Sequence, residues 1–227
     1  MYKIAESVGS VFQNPKTQFF NTDSSAEIAF GLENIGAGWD SMHKRVAKTI
    51  SDLEIETLAD RSVFSLSGGE KQLLAFASVY AMNPQIYVLD EPSIGLHPAN
   101  VDGLLGVMRD LVADGNSVVV VDHDTRVLAE TDYLIEMGPG AGAKGGQVIA
   151  QGTVPQVIDT RESRIAPFLA QGGNVHDRVR DNIDAHEIFS AGRIHMETDR
   201  LHTVGPLSVD IPRGRLTAVT GVSGSGK

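Results

Sequence analysis

Short runs of hydrophobic residues alternate with amphipathic segments along the first 165 residues of the chain. IYVLD (residues 86–90) and SVVVV (residues 117–121) are continuous apolar runs, which are typical of strands buried on both faces of a parallel sheet. Helically spaced segments lie before and after them, and Gly115 follows the last apolar position of one such segment. This alternation predicts an α/β protein with a mostly parallel sheet and crossover helices.

Further elements follow from local patterns. VGSVF (residues 8–12) predicts a strand that ends before Pro15. Residues 25–58 contain two successive helical patterns, and Ser24 or Ser25 is expected to cap the first helix. YLIEM and QVIAQGT, on either side of a glycine-rich turn, predict a terminal pair of strands.

The pattern of hydrophobic and polar residues changes beyond about Arg161. A polar stretch predicts a helix and a linker, and short β-type runs separated by Pro and Gly follow it. The last of these runs, LTAVTG, leads directly into GVSGSGK at residues 221–227. The predicted organisation is one domain at residues 1–165 with a helical subdomain at about 14–80, a linker at 166–185, and an antiparallel β portion at 186–227.

Composition narrows the classes of function. The chain has 227 residues, a formal net charge of −10 and no Cys. An acidic chain is poorly suited to broad non-specific DNA binding, and the lack of Cys excludes disulfides and thiolate zinc sites. No apolar run approaches the roughly 18 residues that span a bilayer, so we expect no transmembrane segment in these residues.

GVSGSGK matches the phosphate-binding pattern G-x-x-x-x-G-K after a predicted strand. Gly221, Gly224 and Gly226 would let backbone N–H groups face phosphate oxygens, and Lys227 would supply a positive charge to the terminal phosphates. We therefore expect these four residues to bind a nucleotide.

Two acidic residues close the buried run IYVLDEP. Asp90 is expected to hold Mg²⁺, and Glu91 to orient or deprotonate an attacking water. Gln13 ends an earlier predicted strand, where its amide can reach the metal or the water. His123 follows the strand SVVVV, where its imidazole can donate a hydrogen bond to a terminal phosphate.

SLSGGEKQ (residues 65–72) places a hydroxyl and two glycines at the start of an apolar helix. Ser67, Gly68 and Gly69 are therefore expected to form an anion site from backbone N–H groups, a hydroxyl and the helix dipole.

In chain order, these motifs make the sequence resemble ABC-type ATPases along essentially its whole length. The resemblance implies a P-loop NTPase fold with a small helical subdomain, and ATP and Mg²⁺ as cofactors. It implies catalytic roles for Gln13, Glu91 and His123, and metal binding by Asp90 with Gln13. It also implies composite sites, in which the signature residues Ser67–Gly69 of one cassette face the phosphate loop of another.

Two subfamilies are visible. Residues 8–92 resemble energy-coupling-factor ATPases, through VFQNPKTQFFNTDSSAEIAFGLEN and LSGGEKQ, which implies vitamin or metal uptake with a membrane subunit. Residues 86–227 resemble the UvrA excinuclease family, through LDEPSIGLHP and IPRGRLTAVTGVSGSGK, which implies DNA and repair subunits as partners. The UvrA family carries zinc-binding cysteines and an insertion before the signature, and both are missing here. We therefore favour transport, at the cytoplasmic face of a membrane. A nucleotide-binding regulatory cassette without turnover is a further alternative.

The position of GVSGSGK allows two arrangements. In the first, the chain joins the end of one cassette to the start of a second, and the isolated chain hydrolyses ATP weakly or not at all. In the second, the C-terminal strands fold back to complete a circularly permuted cassette, with Lys227 near Asp90. Phe189 is the candidate for an aromatic that stacks on adenine.

Overall fold

The computed structural model describes residues 4, 7–94, 96, 98–140, 145–171, 184–200 and 204–222. The chain divides into two compact units, Met1–Asn100 and Val101–Lys227. Among the described residues, no helix combines the length and the apolar character needed to cross a membrane.

The first unit joins a pair of parallel strands to a group of helices. β1 and β2 pair in parallel, with Val8 opposite Ile86 and Val11 opposite Leu89. Short 3-10 turns lie at Pro15–Thr17, Glu56–Leu58 and Val63–Ser65. The strands and helices are β1 (Val8–Val11), α1 (Ser24–Asn34), α2 (Trp39–Asp52), α3 (Gly68–Met82) and β2 (Ile86–Asp90).

The helices of the first unit enclose their own apolar core. Burial of these side chains removes apolar surface from water and holds α1, α2 and α3 together. A close contact joins α3 to β1, since a Cβ on Gly9 would lie 2.4 Å from Val79 Cγ1. Only a glycine fits at that position. The buried members of the core are Ile28, Leu32, Met42, Ile55, Leu58, Val63, Leu66, Leu74, Ala77 and Ala81.

The N-terminus of α1 differs from the sequence prediction. Asp23 is the capping residue, and its carboxylate accepts a hydrogen bond from the Ala26 N–H at 3.0 Å. Ser24 is fully buried inside the helix and donates its hydroxyl to the Leu58 carbonyl. The prediction that Ser24 or Ser25 caps α1 was therefore wrong, because the Ser24 hydroxyl is used in a tertiary contact.

The second unit contains most of the strands. β3 is almost completely buried, which agrees with its unbroken run of valines. The elements from the division onward are α4 (Pro98–Ala113), which spans the division, β3 (Ser117–Val121), α5 (Thr125–Ala129), β4 (Tyr133–Gly138), β5 (Gln147–Gly152), α6 (Val154–Ile158), α7 (Ala166–Gln171), β6 (Arg193–Thr198), β7 (Leu207–Pro212) and β8 (Leu216–Gly221).

β8 lies between β3 and β4 and is parallel to both. Its start is fixed by two side chains. Asp132 accepts the Leu216 N–H at 2.8 Å, and the Ser117 hydroxyl accepts the Gly214 N–H at 2.9 Å. β5 pairs antiparallel with β4, which confirms the predicted terminal strand pair. β6 and β7 form a separate antiparallel pair.

Candidate active site

Gln13 and Glu91 share a direct hydrogen bond although 78 positions separate them in the sequence. The Gln13 side-chain nitrogen donates to a Glu91 carboxylate oxygen at 2.6 Å. Because Val11 and Leu89 lie opposite each other on parallel strands, the residues that follow β1 and β2 emerge side by side. The structure thus brings together two residues that the sequence analysis placed in hydrolysis.

Glu91 has a backbone conformation that is uncommon for a residue with a side chain. Its φ is +45°, in the left-handed region. Such a residue costs on the order of 1–3 kcal/mol, and residues of this kind cluster at active sites. The strain occurs one residue after Asp90, which ends β2. The backbone geometry therefore agrees with a functional turn at the end of β2.

Asp90 and Gln13 offer the oxygen ligands that Mg²⁺ prefers. Gln13 donates to Glu91 through its nitrogen, so its amide oxygen is the atom suited to a metal. Within the described ranges, no three His, Asp or Glu side chains lie close enough to hold a metal ion by themselves. Mg²⁺ commonly uses one or two carboxylates plus substrate phosphates, and Asp90 with Gln13 fits an ion that is shared with a nucleotide.

Ser67 caps the N-terminus of α3 in a reciprocal capping box. Its hydroxyl accepts the Glu70 N–H at 3.3 Å, and its own N–H donates to the Glu70 carboxylate at 2.7 Å. The Ser67 hydroxyl hydrogen remains able to donate. Gly68 is exposed, and a Cβ built on it would meet no atom within 4 Å. The N-terminus of this 15-residue helix is therefore accessible to an anion.

Glu70 is held as a carboxylate at this helix terminus. Arg61 donates to its second carboxylate oxygen at 2.9 Å. Hydrogen bonds from the Ser67 backbone, then from the Ser67 side chain and Arg61, lower the pKa of Glu70 to about 2. Glu70 therefore stays ionised at neutral pH and stabilises the turn, while Arg61 balances its charge.

His123 lies on a turn that is fixed by its neighbours. Asp122 is completely buried, and its carboxylate accepts the N–H groups of His123 at 2.7 Å and Asp124 at 2.9 Å. Asp124 in turn caps α5 and pairs with Arg126. Hydrogen bonding from Arg126 lowers the pKa of Asp124. The His123 side chain is exposed at the carboxyl end of β3, where ligands of parallel sheets commonly bind.

Gly221 ends β8, in register with the end of β3. Val219 lies opposite Val121, so Gly221, the last residue of β8, and His123, two residues after β3, lie at the carboxyl ends of neighbouring parallel strands in the second unit. Gly224, Gly226 and Lys227, the other predicted phosphate-binding residues, lie outside the described residues.

Phe189 lies in a small aromatic cluster of the second unit. Its ring contacts Tyr133 edge-on, with the ring centroids 5.5 Å apart. The Arg193 guanidinium lies over the Phe189 ring at 5.5 Å. A base that stacked on this face of Phe189 would have to displace Arg193.

Sequence reasoning missed two residues that shape these turns. Asp122 directly precedes His123 after a buried strand, and this position was a usable signal for a carboxylate that accepts backbone N–H groups. Gln18 bonds to the backbone on both sides of Val11, and nothing in the sequence distinguished it from a surface glutamine.

Comparisons with known proteins agree with the motifs. A family model described as ABC transporter matches residues 2–94. An ABC transporter ATP-binding protein of Treponema denticola is 35% identical over 230 residues, covering 99% of this chain and 47% of that protein. UvrABC system protein A of Deinococcus radiodurans is 40% identical over 186 residues, covering 79% of this chain and 18% of that protein. The chain thus spans about half or less of the length of these relatives.

A structural comparison indicates the same family. CbiO1 from Clostridium perfringens, part of the ABC transporter complex CbiONQ, aligns with a TM-score of 0.58 and 30% identity. The alignment covers 75% of this chain and 68% of that one. The chain belongs to the ABC-type ATPases, and its fold is the α/β P-loop cassette, with a mostly parallel sheet and an antiparallel β portion, that the sequence predicted.

Proposed function

We propose that this chain is part of an ATPase that binds ATP with Mg²⁺ and uses its hydrolysis to energise membrane transport of the energy-coupling-factor type. The observation that carries the proposal is the Gln13–Glu91 hydrogen bond in the same unit as an aromatic groove. The hydrogen bond suits activation of a water, and the groove suits docking of a partner protein near the turn that carries Gln13.

In the proposed reaction, Glu91 orients the attacking water and accepts its proton. Gln13 holds the Glu91 carboxylate through the 2.6 Å hydrogen bond and offers its amide oxygen to the metal. Asp90 would bind Mg²⁺, which neutralises charge on the phosphates. His123 would donate a hydrogen bond to the terminal phosphate. In this scheme, Gln13 and Glu91 hold the water in line with the terminal phosphate.

Ser67, Gly68 and Gly69 are proposed to bind the phosphates of a nucleotide that a second cassette holds. The N-terminus of α3 offers backbone N–H groups and the positive end of the helix dipole for this purpose. The second cassette would be another part of the same parent chain or a second copy. Gly221, with Gly224, Gly226 and Lys227, would contribute the phosphate loop.

Both arrangements of the C-terminal portion have support. The pairing of β8 with β3 and β4 supports the fold-back arrangement, in which residues 186–227 complete a sheet within this chain. The match of 99% of this chain to a stretch of a protein about twice as long supports the tandem arrangement. Deletion of residues 186–227 distinguishes them. Faster backbone hydrogen exchange in β4 supports the fold-back, and unchanged exchange supports the tandem arrangement.

The groove of the first unit has a volume of about 460 Å³ and an exposed aromatic rim. Phe20 is 74% exposed and stacks on Phe30, with the ring centroids 4.8 Å apart. Phe30 is half-buried, and an exposed aromatic side chain beside a cavity is typical of a protein docking site. We propose that the partner is a membrane protein of the transporter, which would place the ATPase at the cytoplasmic face of the membrane. The groove is lined by Gln18, Phe20, Glu27, Phe30, Gly31, Asn34, Ile35, Ser78, Val79 and Met82.

A UvrA-like role in DNA nucleotide excision repair is the second candidate. The observation that favours it is the 40% identity to the UvrABC system protein A of D. radiodurans, against 35% to the transporter-type relative. In that case the partners would be DNA and repair subunits.

A matched pair of variants tests the two roles. In the full-length protein, Phe20→Asp is expected to abolish association with the membrane partner, because it places a charge on the groove rim. Phe168→Asp, at another exposed phenylalanine (61%) in α7, is the control and is expected to bind normally. Co-purification from membranes measures both. ATPase stimulation by damaged duplex DNA, unaffected by Phe20→Asp, would overturn the transport proposal in favour of repair.

A further inference from the structure

Gln18 makes two hydrogen bonds to the backbone of the strand that precedes it. Its amide oxygen accepts the Phe12 N–H at 3.2 Å, and its amide nitrogen donates to the Ser10 carbonyl at 3.1 Å. The Phe12 N–H and the Ser10 C=O point to the same edge of a strand. The Gln18 side chain therefore contacts the end of β1 as a peptide group of a neighbouring strand would.

The turn between Phe12 and Gln18 is closed by further local bonds. Asn14 caps the 3-10 turn by accepting the Lys16 N–H at 3.2 Å, and the Gln18 N–H donates to the Pro15 carbonyl at 3.0 Å. These bonds return the chain toward β1, and the two bonds of the Gln18 amide close the loop. Gln13, which donates to Glu91, lies directly after the backbone N–H that Gln18 binds.

Gln18 also lines the groove of the first unit. It is half buried and lines the groove together with Phe20 and Glu27. Glu27 is buried and accepts the N–H groups of Phe20 at 3.0 Å and Asn21 at 2.7 Å. The segment after Gln18 thus has its own support, independent of the Gln18 amide.

We propose that Gln18 is a positioning residue for hydrolysis, because its amide fixes the Phe12 backbone and thereby holds Gln13 against Glu91. The inference rests on the proposed role of Gln13 and Glu91 in ATP hydrolysis and is independent of whether the energy drives transport or DNA repair. Gln18 contacts neither the nucleotide nor the water in this scheme, and it acts through Gln13.

A double-mutant cycle in the full-length protein tests the kinetic part. Gln18→Ala is expected to lower kcat about tenfold with little change in the KM for ATP, since misplacement of a reacting group mainly affects the chemical step. In a Gln13→Ala background, the same substitution is expected to have no further effect. Gln18→Glu retains the acceptor for the Phe12 N–H and is expected to fall between Gln18→Ala and wild type. Gln85→Ala, at an exposed glutamine before β2, is the control.

Hydrogen exchange tests the geometry without nucleotide. In Gln18→Ala the Phe12 amide is expected to exchange about fivefold faster, the effect of losing one ordinary hydrogen bond. The Phe20 and Asn21 amides, which Glu27 binds, are expected to be unchanged. A Phe12 amide that exchanges at the wild-type rate overturns the proposal. So does a Gln18→Ala loss of equal size with and without Gln13. If Gln13→Ala and Glu91→Gln both retain full turnover, the proposed function fails instead.

Discussion

The turn after β1 and the turn after β3 both carry a predicted active-site residue, yet different contacts hold them. The turn after β1 is closed by local hydrogen bonds of Asn14 and Gln18, but it also depends on a distant residue, because Gln13 bonds to Glu91, 78 positions away. The turn after β3 is built from its own neighbours, since Asp122 accepts the N–H groups of the next two residues. His123 is thus fixed locally, whereas the position of Gln13 depends on tertiary contacts.

The different contacts that hold the two turns suggest different roles for them in the proposed function. A turn held by its own residues keeps its shape as long as the strand before it is intact. A turn held by residues from another strand and from a groove changes when those contacts change. In the proposed ATPase, binding of a partner protein at the groove is therefore expected to change the position of Gln13. The turn with His123 is expected to keep its shape and to hold the hydrogen-bond donor for the terminal phosphate in place.

The largest expected effect comes from Glu91→Gln in the full-length protein. The amide keeps an oxygen that can accept from Gln13, but it removes the carboxylate that accepts a proton. ATP turnover is expected to fall by about a hundredfold or more, with almost no change in the free energy of unfolding. Steady-state ATPase and urea unfolding measure the two quantities.

Glu56→Gln, at an exposed residue of a 3-10 turn, is the matched control and is expected to retain full turnover. Turnover by Glu91→Gln equal to that of this control would remove the proposed base. Robust turnover by these 227 residues alone, abolished by Glu91→Gln, would favour the proposed fold-back arrangement over the tandem arrangement.

Asp122→Ala is expected to affect stability, in contrast to Glu91→Gln. It leaves two backbone N–H groups without their buried acceptor, which costs on the order of 1–3 kcal/mol in the free energy of unfolding. Chemical denaturation measures this loss. Asp114→Ala, at an exposed aspartate after α4, is the control and is expected to be nearly neutral. Equal stability of the two variants would mean that the turn with His123 is not held locally.

The same contrast explains what the sequence could predict. Buried runs such as SVVVV and IYVLD reveal strands, and motif residues at their ends reveal where the active-site turns begin. The partner of Gln13 was accessible only through the family resemblance, because pairing between distant side chains leaves no local pattern. The Gln18 amide contact was not accessible at all, because it binds backbone groups of Ser10 and Phe12, which every residue type carries. The cap of α1 was misassigned for the same reason, since a buried contact to Leu58 uses the Ser24 hydroxyl.

Ser67→Ala is expected to have a smaller effect than Asp122→Ala. It removes the side-chain half of the capping box on α3, which typically costs about 1 kcal/mol. The free energy of unfolding measured in urea checks this value, and Ser51→Ala on the exposed face of α2 serves as the control. The turn at Ser67–Gly69 is held by the contact between Ser67 and Glu70, which lie close together in the sequence, as the turn with His123 is held by its neighbours. Hydrogen exchange near Gln13 is therefore expected to stay unchanged in Ser67→Ala. Faster exchange near Gln13 in Ser67→Ala would show that the turn at Ser67–Gly69 is coupled to the turn with Gln13.

The smallest expected effect is the acid dependence of the same capping box. The folded-state pKa of Glu70 is lowered from 4.5 to about 2, chiefly by the Ser67 backbone N–H. The stabilisation by ionised Glu70 is therefore fully present above pH 4.5 and is lost as the pH falls through about 2. The difference in urea midpoint between wild type and Glu70→Gln is expected to be constant above pH 4.5 and to shrink below it. Arg61→Ala removes the paired cation, which should raise the pKa of Glu70 and shift the loss to higher pH. A difference that is independent of pH down to 2 would show that the charge of Glu70 does not stabilise this turn.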